Sequence, residues 1–172
     1  MSRVQQVNRF RFRQSKMNTN ILFKIVERLK LRVQIGDELE YKVHNNTKYL
    51  TVEGMTVSGL FDSGATLEKL RATIAIAIAH EIGHFLAAPL SRRNRKNFGI
   101  PLSQDNSSPR SRYKWEREEV MAQLFEQKIT DTIGVKNQSK RLLVRKMKEY
   151  DLESWWKTAQ LDLDHLLRSV KQ

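Results

Sequence analysis

Apolar positions recur three and four residues apart in five stretches of the chain and sit at strand-like spacing in one shorter stretch. This predicts a mostly helical protein with a small sheet. Residues 1–16 read as an arm or edge strand. Asn18, Thr19 and Asn20 then offer helix caps, and Ile21, Leu22, Ile25, Val26 and Leu29 make a buried stripe that runs to Leu31. Val33 to Val43 fits no single period and carries a turn signal at Gly36-Asp37. Tyr49 to Val52 and Met55 to Ser58 are rich in β-branched residues and flank Glu53-Gly54, the pattern of a hairpin. Leu60 to Gly64 reads as a loop, after which Ser63 or Thr66 can cap a helix.

That next helix, Leu70 to Ala88, is dense in Ala, Ile and Leu and is expected to stop at Pro89. Its apolar run is interrupted by His80, Glu81 and His84. Histidines four apart lie one turn above each other on one face, so both imidazoles can reach a single metal ion at about 2.0–2.1 Å. Glu81 falls beside that face, placed to take a proton from a water held at the metal. A pair of hydrogen-bonded histidines with a salt-bridged glutamate is the plainer alternative. A metal accounts for all three polar groups in an apolar helix at once.

A catalytic zinc takes three protein ligands and keeps one position open. The four histidines are at 44, 80, 84 and 165, and Leu90 stands where a three-histidine version of the motif would place its last ligand. His44, beside the turn-like Asn45-Asn46, reads as a surface residue. The third ligand is therefore expected to be a carboxylate, from a second helical stretch with Val120, Met121, Leu124, Phe125 and Ile129 as its apolar stripe. Glu119 flanks that stripe and is the candidate. Glu116 and Glu118 read as the acidic first turn favoured by the helix dipole.

The pair formed by Ala79 to Leu86 (AHEIGHFL) and a later Glu119-x-x-Ala122-x-x-Phe125 resembles the ImmA/IrrE family of zincin-like metallopeptidases, over roughly residues 45 to 135. Gln123 and Glu126 depart from the asparagine and alanine common there, and the 34 residues between His84 and Glu119 make a long insertion. The resemblance implies an α+β, zincin-like fold, mostly helical, with a small antiparallel or mixed sheet beside the metal helix. It also implies a zinc (or manganese) peptidase with His80, His84 and Glu119 as ligands and Glu81 as general base. The substrate it implies is an intracellular regulatory protein such as a DNA-bound repressor.

Charge adds a second theme. Lys and Arg number 31 against 19 Asp and Glu, a net charge of +12. The excess gathers in residues 1–32 and 90–117, around a mildly acidic segment that holds His80, Glu81 and His84. Arg9, Arg11 and Arg13, interleaved with Phe10 and Phe12, and Arg92, Arg93 and Arg95 are the candidate contacts to nucleic-acid phosphates or to an acidic protein. A basic nucleic-acid- or protein-binding module on a zincin scaffold without turnover, part of a larger assembly, is the alternative function. No run of eighteen apolar residues, no secretory signal and no cysteine occur, so the expectation is an intracellular, cytoplasmic protein with neither a membrane span nor disulfides.

The expected organisation is a basic arm over 1–17, a metallopeptidase domain over 18–135 with a basic loop at 91–114, and a helical extension over 136–172. In that extension a basic helix from Ser139 to Tyr150 turns Leu142, Leu143, Val144 and Met147 inward. Asp151 is the expected cap of a last helix with Leu152, Trp156, Ala159, Leu163, Leu166 and Val170 on its stripe. A stripe this short predicts docking on its own domain rather than a dimer seam. Tyr113 and His165 are candidate oxyanion donors.

Overall fold

The computed structural model describes residues 17–36, 40–44, 47–53, 62–91, 108–137 and 140–172. The first helix, α1 (Thr19–Arg28), buries Ile21, Leu22 and Ile25. Asn18 stands at its N-cap but uses its backbone, not its side chain, donating its N–H to the Ile133 carbonyl at 2.9 Å. Three strands follow, β1 (Leu31–Gly36), β2 (Glu40–His44) and β3 (Thr47–Glu53), in the spatial order β1-β3-β2. β3 runs parallel to β1 and antiparallel to β2, with His44 opposite Thr47. β2 and β3 thus form an antiparallel pair upstream of the expected hairpin, whose Gly54 lies outside the described residues. The ambiguous stretch supplied two strands, and the strand expected at Met55 to Ser58 lies outside the described residues.

The sheet packs through β2 and β3 on α2 (Leu67–Ser91), whose other side meets α3 (Pro109–Ile133) in the most extensive packing of the structure. Thr66 caps α2, its Oγ1 accepting from Lys69 N–H at 3.2 Å. The helix passes through Pro89 and ends at Ser91. A proline this close to a helix end forfeits one hydrogen bond where little helix remains to be kinked, so the expected stop comes two residues late. By length and composition Leu67–Ala87 would qualify as a membrane span, with mean hydropathy 1.2, contrary to the expectation from apolar runs alone. Here the helix is a core element, and Ala75, Ile78, Ala79, Ile82 and Phe85 are buried against its neighbours.

α3 begins earlier than its apolar stripe suggests, inside the stretch expected to be loop. Ser108 caps it, accepting from Ser111 N–H at 3.2 Å, and Pro109 occupies the first turn, where its missing N–H costs nothing. It ends at Gly134, whose φ of 79° lies in the left-handed region. Val135 N–H then reaches the Thr130 carbonyl at 2.9 Å and Gly134 N–H that of Asp131 at 3.3 Å, a Schellman closure that turns the chain back on the helix.

Two helices complete the core, α4 (Lys140–Glu149) and α5 (Glu153–Lys171). α4 buries Leu143 alone, while Leu142 and Val144, expected inside, are exposed. Asp151 does not cap α5. It takes φ 51° and closes α4, with Leu152 N–H on the Met147 carbonyl at 2.9 Å. α5 buries Ala159, Leu163, Leu167 and Val170, and Leu166 packs half-buried against the same core, so Leu167 joins the expected stripe. It docks on α1 and α3, where Phe125 meets the rings of Trp155 and Trp156 edge-on at centroid distances of 5.7 and 5.3 Å. Residues 136–172, separable by sequence, thus share one hydrophobic core with α1, α2 and α3.

Candidate metal centre

The helix period brings His80 and His84 one turn apart on the face of α2 that meets α3. Their Nε2 atoms lie 3.1 Å apart and the rings are edge-to-face, 4.7 Å between centroids. Across the helix contact stands Glu119, with Oε2 at 3.3 Å from His80 Nε2 and Oε1 at 3.2 Å from His84 Nε2. Glu116, by contrast, accepts from Tyr150 Oη at 2.6 Å and from Arg112 Nε at 2.8 Å, tying the start of α3 to the end of α4. Of the three neighbouring glutamates, it is Glu119 that reaches the histidines among the described residues.

Gly83 makes this approach feasible. A Cβ there would come within 3.0 Å of both Ala122 Cα and its carbonyl carbon, so only hydrogen fits between the two backbones. Ala122 is one turn after Glu119 and Gly83 is one residue before His84, which puts the closest part of the helix crossing beside the convergent donors.

The protonation chemistry of the cluster asks for a cation. His80 Nδ1 lies 2.7 Å from Glu126 Oε2; a carboxylate only accepts, so Nδ1 carries the proton and donates it. In the neutral ring this leaves a lone pair on Nε2, facing a second imidazole nitrogen and a carboxylate oxygen. Burial alone would push the His80 imidazole down. The hydrogen bonds to Glu119 and Glu126 and the charge of both outweigh it and raise His80 from 6.5 to about 10. Glu119 responds in the opposite sense: burial pushes it up, but its hydrogen bonds to His80 and His84 prevail and draw it down to about 2. The cluster therefore attracts positive charge at its centre, a proton or a metal ion.

The spacing of the donors is compatible with a metal. In a tetrahedral zinc site with ligand bonds near 2.0–2.1 Å, ligand atoms stand about 3.4 Å apart. The separations of 3.1, 3.2 and 3.3 Å approach that value. Side-chain exposures of 20% for His80, 27% for His84 and 24% for Glu119 leave the donors accessible to solvent and small ligands. Glu81 is only 3% exposed, and its carboxylate belongs to one group with the two imidazoles, their ligand-type atoms all within 4.8 Å of one another. A His80-Glu81-His84 group that can bind a metal ion is thus present.

Glu126 was not a candidate from sequence, where it appears only as a departure from a family pattern. It is 5% exposed, and its second oxygen accepts from Asn137 Nδ2. Seven residues separate it from Glu119, and that spacing of two turns was the one signal that could have marked it. Of the candidate oxyanion donors, Tyr113 packs on the Tyr150 ring and His165 Nδ1 lies 3.1 Å from Arg168 Nη2. Arg9, Arg11, Arg13, Arg92, Arg93 and Arg95 lie outside the described residues. Comparison with protein-family models, with curated proteins and with solved structures found no match for this chain.

Proposed function

We propose that this chain is a zinc-dependent peptidase of the zincin type, with His80, His84 and Glu119 as protein ligands and Glu81 as general base. The observation that carries the reading is the convergence of two imidazole nitrogens and one carboxylate from two different helices, at separations of 3.1 to 3.3 Å. Two histidines and a glutamate with a further position open is a donor set of catalytic zinc, and manganese is also compatible with nitrogen and oxygen donors. When bound, the ion would supply Lewis acidity, polarising a peptide carbonyl and making water easier to deprotonate.

The protein's own residues divide the remaining work. Glu81, next to His80 but not among the three convergent donors, takes the proton from the attacking water and returns it to the leaving amine. The sheet beside α2 offers main-chain groups with which an extended peptide can pair. On the resemblance to the ImmA/IrrE family, the substrate is an intracellular regulatory protein, and the basic segments around Arg9, Arg11, Arg13, Arg92, Arg93 and Arg95 suit one associated with DNA.

The test has two parts. Purified protein should hold about one zinc per chain, and His80→Ala should hold none. A degenerate peptide library incubated with the zinc-loaded protein should yield new N-termini by mass spectrometry, absent with Glu81→Gln, which should keep its metal. Full metal loading without any cleavage would favour the non-catalytic binding module, and loss of zinc in Glu81→Gln would remove the general-base assignment.

A further inference from the structure

Glu126 is a carboxylate on a stretch of α3 otherwise given to core packing, between Phe125 and Ile129, and is 5% exposed. Such a group is costly to bury unless both oxygens find donors. Both do. Oε2 faces His80 Nδ1 at 2.7 Å, and Oε1 accepts from Asn137 Nδ2. Asn137 does not belong to α3. It comes from the segment beyond Gly134, where the Schellman closure has turned the chain back along the helix.

We propose that Glu126 is the positioning residue of the metal centre, fixing His80 in the tautomer and ring orientation that present Nε2 to the ion, with Asn137 holding the carboxylate in place. The proposal rests on the reading of His80, His84 and Glu119 as ligands. An imidazole that binds through Nε2 must keep its proton on Nδ1, and a carboxylate behind that proton holds the ring still and makes Nε2 a stronger donor. Only an acceptor on the Nδ1 side can do this, and Glu126 stands there at the length of a charge-assisted hydrogen bond. Because Glu119 and Glu126 are two turns apart on one helix, α3 supplies both a ligand and the support for another ligand. Their spacing is fixed by the helix itself. Asn137 removes the remaining freedom, since a carboxylate tethered through both oxygens cannot rotate away from the ring.

The variants are Glu126→Gln, nearly isosteric with the original, and Asn137→Ala, at a partly exposed position in the linker. Zinc affinity is measured by competition with a chromophoric chelator, and the histidine ring resonances of the zinc-loaded protein by proton–nitrogen NMR. Glu126→Gln is expected to weaken zinc binding about 10- to 100-fold and to move the Nδ1-bound proton of His80 upfield while leaving the His84 ring signals in place. Asn137→Ala should show the same displacement with a smaller loss of affinity. Affinity within twofold of wild type and an unmoved His80 signal in both variants would overturn the proposal and leave the ligand assignment standing. A purely structural role predicts lower thermal stability with the zinc affinity of the folded protein and the His80 signal unchanged, and that result also overturns it. Wild-type protein that binds zinc without perturbing the rings of His80 and His84, or binds none, would overturn both the ligand assignment and this inference.

Discussion

Gly83→Ala is the substitution whose outcome depends most directly on the helix crossing. The added Cβ would lie 3.0 Å from Ala122 Cα and from its carbonyl carbon, and still nearer its oxygen, all atoms of a helix backbone that cannot rotate aside. Ordinary carbon contacts are near 3.5–4.0 Å, so the axes of α2 and α3 must part locally by roughly 0.5–1 Å. Glu119, one turn before Ala122, would retreat with α3 from histidine nitrogens now 3.3 and 3.2 Å away. Metal–ligand distances tolerate only about 0.2 Å, so a movement of this size should lower zinc affinity by at least about tenfold. Overpacking costs about 1–3 kcal/mol, while alanine gains about 1 kcal/mol over glycine inside a helix, so the expected net is a loss of up to about 2 kcal/mol. Urea unfolding of the metal-free protein measures the stability and chelator competition the zinc affinity. A Gly83→Ala protein that is about 1 kcal/mol more stable than wild type, with unchanged zinc affinity, would falsify the tight crossing, because helix propensity alone would then account for the result.

Three further outcomes are expected. Glu119→Ala should weaken zinc binding by an order of magnitude or more, whereas Glu116→Ala and Glu118→Ala should leave it nearly unchanged; an equal loss at either neighbour in the same chelator assay would shift the ligand assignment. In the metal-free protein His80, raised to about 10, is protonated at neutral pH, so zinc must displace that proton. Calorimetry at pH 7 in buffers of different ionisation enthalpy should therefore show about one proton released, and buffer-independent heats would refute this. The sign for stability follows: the His80 contribution is complete below 6.5 and lost as pH rises through about 10. That of Glu119 is complete above 4.5 and lost as pH falls through about 2. Finally, Asp151→Gly should stabilise the protein by about 0.5–1 kcal/mol, since glycine accepts the left-handed backbone that aspartate adopts there with strain. A lower melting temperature would show that the Asp151 side chain contributes more than its backbone costs.

Much of the site was legible because it obeys a local rule. Residues four apart on a helix share a face, so His80 and His84 could be paired by counting, and Glu119 could be chosen for its place beside an apolar stripe. Glu126 could not be paired with His80 in this way, because their contact exists only once α2 and α3 have crossed. Its other partner, Asn137, arrives through a left-handed turn at Gly134. The helices were legible for the same reason as the histidines, but their ends were set by single residues. A proline two residues from the end of α2 does not stop it, and Ser108-Pro109 starts α3 ahead of its apolar stripe. The strands β1 and β2 were not legible because the stretch from Val33 to Val43 fits neither the helix period nor the strand period. Leu167 joins the stripe of α5 for a tertiary reason: the helix packs on α1 and α3, so Leu166 and Leu167 both meet the core.

The convergent donors come from α2, which ends at Ser91, and α3, which is capped by Ser108, so all of them lie outside the interval between those two serines. Cut anywhere in that interval, the chain would become two pieces, one bearing both imidazoles and the other the carboxylates Glu119 and Glu126. Zinc would then act as a clasp, since an ion that binds only the joined pieces adds its binding energy to their association. In a protein nicked at this connection, the strength of the join would rise with the free metal concentration, on top of what the packing of α2 against α3 supplies.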